Sequence, residues 1–388
     1  MSYTQLIPSV MDYARKFKQL DSLDFKITRA MCDRHIHNLT KLAEIVGAPQ
    51  QTVSYRVKRL VRKDLVRFRA VIDERKLGLK SFSVFASTTA MKEDIAGSAL
   101  TCFPLWRYLA TTDGWKNGNY VRYAIPPDKE RDLVAFLHEL VKRDLISDFE
   151  IMPMSGPKYP LLDLSFYTNA PSVRGFDWQK WVEKCSSLPV DRTEETEHNK
   201  AEFDIVDLVI LRCLELNARV SQRKIVQELG TILREKNLNR FIPLVSRRIR
   251  NKIVSQGLIS GYRAYVFPNE GSTALLLILH LVFSNLPSLC RFENALTLLP
   301  YNNSYEEIVG QNALLLRLVL PAYEYSNMRQ GLAKMAQDGY LEGFHLLLGD
   351  LAHATWDNVE IYQMFKDDSW NFTYGATVEM LERTLKNR

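Results

Sequence analysis

Between Ser54 and Lys80 the chain carries ten cationic side chains, Arg56, Lys58, Arg59, Arg62, Lys63, Arg67, Arg69, Arg75, Lys76 and Lys80, against three acids, Asp64, Asp73 and Glu74. Ten minus three leaves +7 in that window, more than the +6 of all 388 residues. Such a density suits a polyanion, because guanidinium and ammonium groups replace the counterions condensed on nucleic acid and hold its phosphates. The cations are threaded through an apolar repeat, Val53, Val57, Leu60 and Val61. One helix face is therefore buried, and Gln51, Ser54, Tyr55, Lys58, Arg59 and Arg62 look outward. A basic helix face can also be merely solvated; its confinement to the third helix of a three-helix set favours the binding role.

Other side chains offer less chemistry. His35 and His37 stand near Asp33, yet a third metal ligand is missing, and both histidines fit an interhelical turn. Five cysteines, Cys32, Cys102, Cys185, Cys213 and Cys290, are scattered without a C-x-x-C pair, which fits a reduced, cytoplasmic compartment. No G-x-x-x-x-G-K-[ST], G-x-G-x-x-G or G-x-S-x-G occurs, so nucleotide cradling and a nucleophile elbow lack support. The expectation is a non-enzymatic protein with no catalytic residues, no metal and no cofactor. The apolar run Ala274–Leu279 stops at His280, far short of a membrane span, and the N-terminus has no signal-peptide pattern.

The elements that must position the basic face occur twice. Asp24–Gly47 aligns without a gap on Asp207–Gly230, bringing together Ile27/Ile210, Arg29/Arg212, Leu42/Ile225 and Gly47/Gly230. Nine extra residues follow in the second copy, within Thr231–Phe241, and then Val53/Val245, Ser54/Ser246, Arg56/Arg248 and Val57/Ile249 pair. Each copy reads as three helices and a basic wing. Asn38 or Thr40 caps the second helix, Gly47 ends it, and the third runs from Pro49 or Gln50 to about Lys63. In the second copy Pro243 restarts the third helix. After each wing comes the order βαββαβ, with strands near 81–88, 105–112, 120–125 and 147–152, then near 274–283, 304–310, 313–320 and 343–348. Helices are expected near 92–100 and 128–143, then near 289–299 and 323–338.

This predicts an α+β chain: two winged helix-turn-helix domains, each followed by a ferredoxin-like βαββαβ domain, arranged as an intrachain pseudo-dimer. The expected boundaries are 1–75, 80–188, a polar linker 189–200, 201–268 and 269–388, with amphipathic helices near 177–185 and 378–385. Strands 274–283 and 313–320 lack alternation, so both sheet faces must be covered, by the first copy or by a second chain.

With these residues in view, the chain resembles the leucine-responsive regulatory protein/AsnC family of bacterial and archaeal transcription regulators, duplicated in one polypeptide. The resemblance rests on Asp24, on Leu39, Leu42, Ala43 and Gly47, and on Thr52-Val53-Ser54-Tyr55-Arg56-Val57-Lys58-Arg59-Leu60 before Leu65-Val66. Asp64 departs from the family's glycine, which the second copy restores as Gly257. The resemblance implies a cytoplasmic regulator of double-stranded DNA. Gln50, Gln51, Ser54, Tyr55 and Arg56 would face base edges, Lys58, Arg59 and Arg62 phosphates, and Arg67 and Arg69 on the wing the DNA backbone, with Thr52 also at the DNA. Arg247, Arg248, Arg250 and Lys252 would do so in the second copy. It also implies association through the ferredoxin-like domains and a small effector, such as an amino acid, near Asp113, Gly114 and Gly118, which read first as a turn. Two alternatives stand beside it: a weakly selective chromatin-type DNA binder, and a siroheme decarboxylase of the same architecture. The latter would need histidine and basic residues near the β units, and His138, on a helix, is poorly placed.

Overall fold

The structure, a computed structural model, describes residues 16–35, 38–169, 175–190, 200–235, 237–266, 274–356 and 360–387. The first copy forms α1 (Ser22–Ala30), α2 (Leu39–Val46), α3 (Gln50–Arg62), β1 (Arg67–Ile72), β2 (Lys80–Ser87), α4 (Glu93–Leu100), β3 (Trp106–Gly114), β4 (Gly118–Ile125), α5 (Glu130–Lys142) and β5 (Asp148–Met154). After α6 (Trp178–Ser187) the second forms α7 (Ile205–Leu216), α8 (Gln222–Ile232), α9 (Phe241–Arg248), β6 (Ile259–Tyr265), β7 (Ala274–Phe283), α10 (Leu286–Ala295), β8 (Asn302–Glu307), β9 (Ala313–Pro321), α11 (Tyr325–Gln337) and β10 (Leu341–Gly349). β11 (Thr355–Trp356), β12 (Phe365–Lys366), β13 (Ser369–Trp370) and α12 (Tyr374–Lys386) follow. The expected linker 189–200 falls largely on residues 191–199, outside the described residues, as does His37.

Local chemistry sets the helix ends. Asn38, rather than Thr40, caps α2 by accepting the Lys41 N–H at 2.9 Å, and Gly47 closes it at φ 66°. Its repeat partner Gly230 does not end a helix. It lies inside α8, where a Cβ would stand 2.2 Å from Leu238 Cδ2, so the missing side chain admits the inserted segment. Pro243 likewise falls in the first turn of α9, which starts at Phe241, a position where a proline's absent N–H has no helical acceptor to lose.

The chain divides into two compact units that cut across the serial boundaries. The first holds residues 1–68, 157–196 and 262–352, the second 69–156, 197–261 and 353–388. Each thus joins the winged helix of one copy to the sheet of the other. In the first unit Phe17 packs on Phe25 and Tyr167, with ring centroids 5.2 and 4.9 Å apart, and the Tyr167 hydroxyl donates to the Pro300 carbonyl at 3.1 Å. In the second, Phe203 packs on Phe365 at 5.1 Å, and the Trp370 indole N–H donates to the Leu77 carbonyl at 3.0 Å.

Both sheets are antiparallel, in the order β5-β2-β4-β3 in the second unit and β10-β7-β9-β8 in the first. This is the ferredoxin-like order. In the first unit Leu277, Leu279, Leu281 and Phe283 of β7 and Leu314, Leu316, Leu318 and Leu320 of β9 form one core with Trp178 and Trp181 of α6 and Phe292 of α10. Strand alternation then turns Leu276, Ile278, His280, Leu315 and Arg317 to the opposite, helix-free face. In the second unit the Tyr123 hydroxyl donates to the Leu100 carbonyl on α4 at 2.8 Å, which turns Tyr120 and Arg122 to the helix-free face.

Candidate functional site

The first candidate site is the third helix of each winged helix. Gln50, Gln51, Thr52, Tyr55, Lys58 and Arg62 are exposed on α3, and Ser54 is half-buried. Gln50 donates to the Thr40 hydroxyl at 3.2 Å. The guanidinium groups between them behave differently. Asp21 caps α1, and Asp24 returns the contact in a capping box, leaving Asp24 fully buried. Arg56 reaches Asp21 at 2.5 Å and Asp24 at 3.3 Å, while Arg59 reaches Asp24 at 2.7 Å and the Gln19 carbonyl at 2.8 Å. A buried carboxylate needs such partners, since unpaired it would be strongly destabilising. Burial works against ionisation of Asp21, yet the Asp24 N–H and Arg56 hold its carboxyl below the ordinary value.

The second copy repeats the device. Asp204 and Asp207 form the capping box of α7, and Asp207 is fully buried. Arg248 meets both carboxylates at 2.8 Å, and Lys252 meets Asp207 at 2.7 Å. Lys252 takes the place of Arg59 because the segment Ile249–Val254 is a π-helix, which absorbs one extra residue and restores the phase of the face. Arg247 and Arg250 remain exposed. On the wing, Arg67 pairs with Asp64 at 3.2 Å. Arg69 is no surface wing residue at all: it is buried and donates to the Glu215 carbonyl at 2.5 Å. The sequence holds the signal for these pairings, a D-x-x-D at the head of each first helix.

Asp113, Gly114 and Gly118 form the β3–β4 hairpin. Gly114 at φ 122° gives its N–H to Asn117 Oδ1 at 2.8 Å, and a Cβ on Gly118, at φ 141°, would lie 2.2 Å from the Ala86 carbonyl oxygen. Turn geometry accounts for both glycines. The backbone of His35 ends the π-helical turn Met31–His35. Among the described residues no group of three His, Cys, Asp or Glu could hold a metal ion. Burial pushes the thiols of Cys32 and Cys185 up to about 12 and that of Cys213 to about 11, so none of these three is a thiolate near neutral pH.

The second candidate site was missed in the sequence. On the helix-free face of the first unit's sheet, His280 of β7 lies directly opposite His345 of β10, their rings stacked with centroids 5.8 Å apart. Arg317 of β9 pairs with Ile278, one diagonal step from His280, and its guanidinium stands 3.8 Å from Glu306 of β8. Leu276, Ile278, Leu315 and Leu347 around them are buried aliphatics. Two imidazoles thus share a largely apolar wall with a guanidinium and its buried carboxylate partner, a set of groups that can hydrogen-bond to an anionic group and exchange a proton with it. The signal was one histidine inside each of two largely apolar strands.

No protein-family model and no curated protein matches the sequence. Solved structures do match. A crystal structure of the siroheme decarboxylase NirDL matches with a TM-score of 0.50 at 12% identity, covering 94% of this chain and 99% of that one. The same enzyme in co-complex with an iron-uroporphyrin III analogue matches with a TM-score of 0.50 at 11% identity, over 89% and 93% of the two chains. An AsnC family transcriptional regulator from Agrobacterium tumefaciens matches with a TM-score of 0.30 at 20% identity, over 35% of this chain and 91% of its own. The fold, tandem winged helices with ferredoxin-like sheets, is therefore one this chain shares along nearly its whole length with a protein that is an enzyme. The expectation of a non-enzymatic protein is corrected on this ground: absent sequence motifs said nothing about side chains that only strand pairing brings together.

Proposed function

We propose that this protein binds an iron tetrapyrrole against the helix-free face of its second sheet and removes carboxyl groups from the macrocycle's side chains. The observation that carries the reading is the cross-strand pair His280 and His345, with Arg317 and its partner Glu306 beside it, on a largely aliphatic wall. An aliphatic wall suits a flat macrocycle, and a guanidinium suits the carboxylates on its rim, which it can take in bidentate fashion. Loss of carbon dioxide from a ring acetate breaks the bond between the methylene and carboxyl carbons and leaves the electron pair on the methylene, delocalised into the pyrrole. One proton then completes a methyl group. His280 or His345 supplies that proton as the general acid. Full-length likeness to a siroheme decarboxylase supports the same reading.

The test is anaerobic incubation of the full chain with siroheme, followed by mass spectrometry of the tetrapyrrole. Stepwise loss of carbon dioxide is expected, slowed about 10²-fold or more in His280→Ala or His345→Ala if the lost residue is the proton donor. Unaltered siroheme, or wild-type rates in both variants, would sink the proposal.

A second reading rests on the exposed face of α3. Tyr55 is 66% exposed amid Gln51, Lys58 and Arg62, and such a face fits a major groove. If it binds duplex DNA, anisotropy with a labelled duplex at low salt should weaken in the double variant Lys58→Ala, Arg62→Ala. An absence of binding by the wild type at low salt would remove this reading and leave the first untouched.

A further inference from the structure

Two arginines converge on one carboxylate on the face of the first copy's sheet opposite α4. Arg107 Nε donates to Glu74 Oε1 at 2.9 Å, Arg122 Nη1 reaches the same oxygen at 3.2 Å, and Arg122 Nη2 takes Oε2. Arg107 Nη2 continues to the Glu215 carboxylate. All four residues are at most 5% exposed. This is the geometry by which proteins bind a carboxylate, a planar donor fork against two oxygens away from water, except that the occupant belongs to the chain itself.

Strand pairing shows what this place corresponds to in the second copy. Arg122 lies four residues before Pro126 on β4, as Arg317 lies four residues before Pro321 on β9. Ser83 faces Arg122 across the β2–β4 pair where Ile278 faces Arg317, and two residues on, Phe85 stands where His280 does. Phe85 pairs with Glu150 as His280 pairs with His345. The first copy therefore keeps the arginine but has Phe85 and Glu150 in place of the two histidines.

We propose that Glu74 is a built-in carboxylate plug: its carboxyl group permanently fills an Arg107–Arg122 carboxylate site in the first copy, so that each chain carries one reacting face, on the second sheet, and takes one tetrapyrrole. The one-face claim rests on the tetrapyrrole reading above; the carboxylate site does not. Burial opposes ionisation of Glu74, but attraction to Arg122 and Arg107 outweighs it and holds the carboxyl below its ordinary value, as a permanently ionised plug requires.

Two measurements on the full chain separate these claims. Titration with iron-uroporphyrin III, followed in the Soret band, should saturate at one equivalent per chain. Two equivalents overturn the single face, and no binding overturns both the tetrapyrrole reading and the single face with it. Independently, Glu74→Ala should unfold at a lower temperature than wild type in sodium chloride, and sodium acetate at equal ionic strength should raise its midpoint saturably, by placing a free carboxylate in the vacated cradle. Glu74→Gln, which keeps the cradle filled, should show no such acetate effect. If Glu74→Ala is recovered unfolded, its refolding yield in acetate against chloride is the readout. A response of Glu74→Ala no larger in acetate than in chloride overturns the carboxylate site.

Discussion

Asp24 and Glu74 illustrate how a buried charge is made tolerable at the scale of single residues. Asp24 has no exposure, and two guanidinium groups from α3 reach it. Asp24→Asn should therefore cost about 3 kcal/mol, because Arg56 and Arg59 lose their shared carboxylate, whereas exposed Lys58→Ala should stay within about 0.5 kcal/mol. Urea unfolding measures both, and equal effects would refute the pairing as the cause. Glu74 adds a pH dependence of known sign. Its folded carboxyl lies below the ordinary 4.5, so the stabilisation is complete above that value and is lost as pH falls through the folded value. Glu74→Gln should be less stable than wild type at neutral pH, and the gap should close in acid. A gap that persists unchanged at low pH would show that ionisation of Glu74 contributes nothing. The basic face was legible from residue spacing; the D-x-x-D motif marks the acids, but which cations they hold was not legible, since Asp21 and Asp24 each lie 35 residues before their partners Arg56 and Arg59.

Turn chemistry decides the fit at the scale of elements. The helical run that carries the basic face in each copy is followed within three residues by a left-handed residue, Asp64 at φ 48° after Arg62 and Gly257 at φ 69° after the π-helical Val254. Asp tolerates that conformation better than most residues, and here Lys16 and Arg67 pair with its carboxylate at 2.9 and 3.2 Å. Gly257→Ala should cost about 1 kcal/mol, while Asp64→Gly should be nearly neutral, since relief of the left-handed backbone offsets the lost surface pairs. Thermal unfolding of the two variants checks this, and a stable Gly257→Ala would argue against backbone strain there. Helix and strand positions were largely readable from apolar periodicity, since burial of one face imposes it. The π-helical turn Ile249–Val254 was not, because one added residue leaves the local composition of a helix unchanged.

The two compact units set the behaviour of the whole molecule. Residues 1–68 belong with 262–352, and 69–156 with 197–261, so neither half of the sequence contains a complete unit. Fragments cut between residues 190 and 200 should regain cooperative unfolding together and not singly. Circular dichroism melts of each fragment alone and of the mixture measure this; a native-like, cooperative transition in either fragment by itself would contradict it.

Sequence alone determined the duplication, the winged-helix and βαββαβ order of each copy, and the basic third helix, because these are written in short-range spacing that helices and strands must obey. Tertiary structure decided which polar groups meet. His280 and His345 lie 65 residues apart and become neighbours only through the register of β7 with β10, and Glu74 reaches Arg122 only where the chain folds back over β4. Strand register fixes such meetings by the pairing of whole elements, which no local pattern of residues encodes.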